Sequence, residues 1–191
     1  MSQTLRGTAC HEAGHAIVAI AVGYEVTEVC LKEASSSDPE GKWNGCSNYA
    51  PGSFKCPQCK ACVDDIHDAS QIGLLTDECP DCEAERARFG KRVLAGGVAT
   101  RDLEPQDHDP YLMGFDNKKL FMAYPNSRDR QTTYAAADVA ATDGVRQLKC
   151  AIEELRDLII RRAKAASRFG IVCVSGPEVM AISEKYVTLL E

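Results

Sequence analysis

Between Leu5 and Val22 the apolar residues recur at three- and four-residue spacing. Ala9, Ala13, Ile17 and Ile20 share one face, which predicts a helix that Gly23 can end. Val26 to Leu31 carries β-branched residues with imperfect alternation and reads as a strand at or near a sheet edge. Ser35 to Gly52, rich in Ser, Pro, Gly and Asn, reads as loop. Helical character returns from Glu83 to Leu103, where Val93, Leu94, Ala95 and Val98 form an apolar patch and Gly96 and Gly97 permit close helix packing. Residues 104 to 133 hold Pro105, Pro110 and Pro125 among many Asp and Asn, a long connection with at most a short helix. A strong helix is predicted from Ala135 to Ala166, with Val145, Leu148, Ile152, Leu155 and Ile159 at coiled-coil-like spacing. Ser175-Gly-Pro-Glu starts a final helix in which Val179, Ile182, Tyr186 and Leu189 share one face.

These elements predict a mainly α (α+β) fold with a small β element. A chain of 191 residues supports one core plus a small metal-stapled appendage, so residues 1–191 read as a single domain. The longest apolar run, Ala16 to Val22, is too short to span a bilayer, and the amino terminus lacks a basic region followed by a cleavage site. The expectation is a soluble, cytoplasmic protein with no membrane partner. A net charge of −6, with Lys and Arg scattered, argues against nucleic acid as a partner.

His11-Glu12-Ala13-Gly14-His15 places two histidines four residues apart within the first helix. Both imidazoles then project from one face and can meet one ion. Zinc accepts neutral nitrogen ligands at about 2.0–2.1 Å and in catalytic sites keeps a position open for water. Glu12, beside the first ligand, is placed to take a proton from that water as it attacks a carbonyl, and to pass it to the leaving amine. Gly14 in the helix interior implies close approach of another backbone, since glycine there costs about 1 kcal/mol relative to alanine.

Ten cysteines include Cys56-Pro-Gln-Cys59 and Cys79-Pro-Asp-Cys82, two knuckles with nineteen residues between them. That spacing suits a structural zinc held by four thiolates, which leaves no open position and folds a segment too small for its own core. A cysteine-rich zinc-binding insertion is therefore expected over residues 46–82. Cys46, Cys62 and His67 are near enough to replace one of the four. Cys10, Cys30, Cys150 and Cys173 read as small buried residues in apolar contexts.

Thr8-Ala-Cys-His-Glu-Ala-Gly-His-Ala-Ile-Val-Ala, with Gly23 and the strand Val26 to Leu31, resembles the peptidase domain of FtsH-type ATP-dependent zinc proteases and their short stand-alone relatives. Leu94-Ala-Gly-Gly-Val-Ala is similar to the Ala-Gly-x-x-Ala-Glu segment of that family, although Thr100 stands where Glu is frequent. The resemblance covers about half the chain in three patches. It implies a helical, zincin-like metallopeptidase fold, a polypeptide substrate, and an aspartate from a later helix as third zinc ligand. No Gly-x-x-x-x-Gly-Lys-Ser/Thr pattern occurs in the sequence, so unfolding by ATP would fall to a separate ATPase partner, and a homo-oligomer is equally compatible.

Two aspartates are candidates for the third ligand. Asp138 precedes Val145, Ile152 and Ile159 by multiples of seven and so falls on the buried face, and Asp138-Val139 fits the family pattern of Asp before an apolar residue. Asp143 is preferred only if the helix begins at Asp143-Gly144 and resets the phase. The expected cofactors are two zinc ions, one catalytic at His11, His15 and Asp138, one structural at Cys56, Cys59, Cys79 and Cys82. The function this predicts is peptide hydrolysis with Glu12 as general base. The alternatives are a zinc hydrolase of a non-peptide amide, or a zinc-stabilised protein-binding module without catalysis.

Overall fold

The computed structural model describes residues 4–33, 42–76, 78–108, 110–125, 130–166 and 170–186. The fold is mainly helical, with 62% of the described residues in helix, and carries a small antiparallel sheet. Helix α1 (Leu5–Ala21) begins where the Thr4 hydroxyl accepts the Gly7 N–H at 2.9 Å. It is buried on almost every side, so its mostly small and apolar residues mark a central helix rather than one with a solvent face. Strands β1 (Val26–Glu33), β2 (Trp43–Tyr49) and β5 (Ile171–Ser175) form a sheet in the order β2-β1-β5, antiparallel throughout. Val29 and Leu31 of β1 point into the main core, which they share with Ile17, Leu94, Val98, Ile152, Leu155, Ile159 and Val174.

One strand runs through a segment that sequence patterning reads as loop, and another through a segment it leaves unassigned. β2 lies inside the stretch Ser35 to Gly52 expected to be loop, where residues 34–41 are outside the described part. Its Asn, Gly and Ser are poor strand formers, and pairing along the edge of β1 overrides that weak preference. β5 comes from Ile-Val-Cys-Val-Ser, a β-branched run just before the final helix. Cys30 of β1 lies directly opposite Cys173 of β5, and the two are joined by a disulfide. Cys150 is exposed. Among the four cysteines expected to be small buried residues, Cys10 keeps that role.

The remaining helices pack around α1. Between β2 and α3 (Pro80–Leu103) lie the short strands β3 (Phe54–Lys55) and β4 (Cys62–Val63) and one turn of helix, α2 (Ala69–Ile72). Cys46 is a residue of the main sheet, so the cysteine-rich segment departs from the sheet after Tyr49. Cys56, Val63, Ile72, Leu75, Cys79 and Cys82 join Phe89, Val93 and Ala123 in a second, smaller core.

The connection expected from 104 to 133 contains a helix of 14 residues, α4 (Pro110–Ala123). Pro110 opens α4, where a missing N–H costs nothing, and Pro125 lies beyond its end. The single helix expected from Ala135 to Ala166 is two, α5 (Arg130–Gln147) and α6 (Lys149–Ala165), separated at Leu148. The last helix, α7 (Gly176–Glu184), has the capping box expected of Ser175 and Glu178. Its Val179 and Ile182 are buried, whereas Tyr186 is exposed and donates its hydroxyl to Glu154, and Leu189 lies outside the described residues.

A buried ion pair fastens α1, α3 and α6 together. Glu104 accepts hydrogen bonds from Arg6 at 2.7 Å and from Arg156 at 2.5 Å. Burial alone would raise the Glu104 carboxyl pKa, but the two guanidinium groups outweigh it and hold the carboxyl below its ordinary value of 4.5. Stability drawn from this lowered pKa is present above that ordinary value and is lost as pH falls through the lowered one. Glu104→Gln leaves Arg156 buried without a counter-charge and should cost about 3–5 kcal/mol, read as a fall in midpoint on chemical denaturation. As pH falls below 4.5 and through the lowered pKa, that deficit relative to wild type should shrink.

Candidate metal and active site

Two helices bring side chains that could hold a metal to one point, and a third orients one of them. The His11 and His15 Nε2 atoms, on successive turns of α1, are 3.0 Å apart. The Asp116 Oδ2 of α4 lies 3.6 Å from the first and 3.5 Å from the second. His15 donates its Nδ1–H to the Arg92 backbone carbonyl of α3 at 2.9 Å, which fixes the tautomer and turns the Nε2 lone pair inward. Gly96 makes room for that ring, since a Cβ there would sit 2.4 Å from His15 Nε2.

Lone pairs and a carboxylate oxygen facing one another at such distances repel unless a cation lies between them. Asp116 Oδ2 is sealed from solvent without a hydrogen-bond partner, a costly state for an oxygen that lacks a metal or proton. Nitrogen and oxygen ligands around a tetrahedral zinc lie about 3.3–3.6 Å apart; the two separations to Asp116 match that spacing, and the two histidine nitrogens, at 3.0 Å, would open by a few tenths of an ångström to admit the ion. Burial, reinforced by His15, pushes the His11 pKa down to about 3, keeping the ring neutral as a ligand must be.

The third member of this set is Asp116, which corrects the expectation of Asp138. Asp138 receives Arg101 Nη1 at 3.1 Å, and Asp143 pairs with Arg146 at 3.2 Å on an exposed surface. Helix phase did put Asp138 on the side of α5 that faces α3. It arrives opposite Arg101, however, five residues beyond the Gly96 that receives His15. Asp116 does carry a local signal: Leu120 and Ala123, four and seven residues later, are buried, so Asp116 shares their face. Three prolines and an acidic neighbourhood hid that helix.

Glu12 is buried at the wall of the same cavity, of about 420 Å³, with His11, His15 and Asp116. Strand β2 positions it. Ser47 donates its hydroxyl to Glu12 Oε2 at 2.8 Å, and a Cβ at Gly45 would fall 2.4 Å from Glu12 Cγ. Burial pushes the Glu12 carboxyl pKa up, while His15 and the Ser47 hydroxyl pull it back, and the net direction is upward. A carboxylate raised in this way is a better proton acceptor near neutral pH.

The four cysteines of the two knuckles form a second cluster. Cys56 Sγ is 3.3 Å from Cys79 Sγ, Cys59 Sγ is 3.4 Å from Cys82 Sγ, and all four sulfurs lie within 4.8 Å of one another. This group could hold a metal ion. Cys59 N–H donates to Cys56 Sγ, and Lys60 takes the left-handed conformation (φ 65°) that turns the first knuckle. Cys79 is the N-cap residue of α3 and Cys82 lies in its first turn, so the start of the helix sets the spacing of the second knuckle. Cys62 and Cys46 are exposed and outside the cluster, and His67 is bound to Arg92 and the Ala50 carbonyl.

No protein-family model matches the chain, and no curated protein does. No helix among the described residues is long and apolar enough to cross a membrane.

Purified protein grown with zinc should carry two metal ions per chain. Asp116→Ala should lose one, as should His11→Ala, while Asp138→Ala retains both, as measured by elemental analysis. Equal occupancy in Asp116→Ala and wild type would exclude Asp116 as a ligand. Gly45→Ala should keep both ions and lower any turnover that depends on Glu12, because the added methyl displaces its side chain.

Proposed function

We propose that the chain is a zinc-dependent peptidase of helical, zincin-like architecture, with His11, His15 and Asp116 as metal ligands, Glu12 as general base and a second, structural zinc on the four cysteines. The observation that carries this reading is the convergence of three neutral or anionic ligand atoms, with a buried carboxylate beside them, on one open cavity. Two histidines and an aspartate from a later helix are also what the FtsH-type resemblance implies. Nitrogen and oxygen ligands in an open three-sided set suit catalytic zinc, and four sulfurs in a closed set suit structural zinc.

Zinc held by His11, His15 and Asp116 supplies Lewis acidity that polarises a carbonyl and acidifies water. The protein's own contribution is orientation and proton transfer. The Arg92 carbonyl holds His15 in the required tautomer. Ser47 occupies Glu12 Oε2, leaving Oε1 as the oxygen free to accept a proton. Burial of the carboxyl lets Glu12 hold that proton until the leaving amine takes it. The substrate is an exposed, flexible polypeptide segment, since the chain has no ATPase motif with which to unfold one.

Glu12→Gln tests the proposal. Glutamine preserves the shape and the Ser47 hydrogen bond but cannot accept a proton near neutral pH. Both metal ions should remain, and cleavage of casein or a peptide library should fall by about 10²–10⁴-fold. Undiminished cleavage with both ions in place would remove Glu12 from the mechanism. A wild type inert towards every peptide would leave the non-catalytic binding module as the better reading.

A further inference from the structure

The cavity that holds Glu12 and the histidines is also lined by Tyr49, His67, Arg92 and Lys119, none of which proton transfer requires. Arg92 is 5% exposed. Its guanidinium carbon lies 4.5 Å from the Tyr49 ring centroid, 4.8 Å from Tyr24 and 5.0 Å from Phe89. Aromatic faces soften the cost of burying a cation, but a buried arginine ordinarily also meets a carboxylate. Among the described residues Arg92 meets none within ion-pair distance.

The hydrogen bonds of Arg92 point the same way. Its Nη1 donates to His67 Nδ1 at 3.1 Å. His67 in turn donates Nε2–H to the Ala50 carbonyl at 2.9 Å, so its Nδ1 is a lone-pair acceptor and the ring is neutral. Arg92 Nε is sealed without an acceptor, and the guanidinium lines the cavity beside the Tyr49 hydroxyl, a neutral partner that leaves its charge uncompensated. Lys119 is exposed, one turn after Asp116 on α4, and lines the same cavity. With a divalent ion on the histidines, the two cations leave the cavity net positive despite Glu12 and Asp116. A site built to hydrolyse any peptide has no use for that excess, and a fixed guanidinium edge suits a carboxylate.

We propose that Arg92 and Lys119 form an anion subsite beside the metal centre that selects peptides bearing a carboxylate close to the bond to be cut. This substrate class rests on the peptidase reading above. The carboxylate has two sources, the carboxy terminus of a peptide or an acidic side chain, and both present the same planar acceptor.

The test is equilibrium binding of fluorescent peptides to zinc-loaded Glu12→Gln protein, which measures recognition without turnover. One pair of tetrapeptides ends in a free acid or an amide, and a second, amidated pair carries Glu or Gln. In at least one pair the carboxylate form should bind about ten- to a hundredfold more tightly, the margin of a charge-assisted hydrogen bond, and that pair identifies the source. Lys119→Gln, at an exposed position, should reduce the margin, and Arg92→Gln should abolish it with zinc content unchanged. His11→Ala, which removes the neighbouring ion, should keep part of the margin, separating Arg92 from direct coordination of the carboxylate by zinc.

Equal binding within both pairs would overturn the proposal, as would a full margin in folded Arg92→Gln protein. Should Arg92→Gln fail to fold, an unchanged margin and salt dependence in Lys119→Gln would overturn it. Carboxylate preference without cleavage by the wild type would defeat the peptidase reading and leave the subsite standing. Cleavage without preference would do the reverse.

Discussion

The closeness of α1 to α3 governs everything around the histidines. A Cβ on Gly14 would lie 2.6 Å from Ala99 Cβ and 2.7 Å from the Ala95 carbonyl, and one on Gly96 would strike the His15 ring. Only helices without side chains at these points can approach so far. Each helix-interior glycine costs roughly 1 kcal/mol relative to alanine, a loss offset by the burial of α1 on nearly all sides. The same approach puts the Arg92 carbonyl within hydrogen-bond reach of His15. Packing and ligand orientation are thus one constraint, and α1 cannot move from α3 without losing both.

What the sequence discloses of this site is what local chemistry encodes. His11, Glu12 and His15 sit on a helix whose pitch alone brings the imidazoles together, and each knuckle directs two sulfurs by its own turn. Asp116 depends on where α4 lies against α3, and nothing within a few residues of it states that position. Asp138 does lie on an inward-facing side of α5, but inward from α5 means towards Arg101. The break at Leu148 further separates its phase from that of Ile152 and Ile159. β2 was hidden for a related reason: a strand of Asn, Gly and Ser owes its shape to the neighbour it pairs with.

That neighbour relation explains why so poor a strand belongs there. In antiparallel register Leu31 faces Gly45 and Val29 faces Ser47, so the inner face of β2 presents a hydrogen atom and a hydroxyl where a normal strand would present branched side chains. Larger residues would stabilise the sheet and fill the space Glu12 occupies. On the outer face the same register lines up Cys46, Cys30 and Cys173 in one row across the three strands, with the disulfide between the last two. The sheet is therefore tied covalently on one side and left deliberately small on the other.

Helix α3 carries the connection between the cysteine cluster and the histidine site. Cys79 and Cys82 lie at its start, Phe89 and Val93 in the small core, Arg92 against His15, and Gly96 beneath its ring. From Cys82 to Arg92 is about 15 Å of rigid helix. The small core also takes in Ala123 of α4, one face of which presents Asp116. Two of the three segments that build the histidine site are consequently seated on the element that the cysteines anchor. α1 and its histidines rest on the larger core. Order among the four cysteines is therefore passed along α3 to Arg92 and, through Ala123, to the helix that carries Asp116.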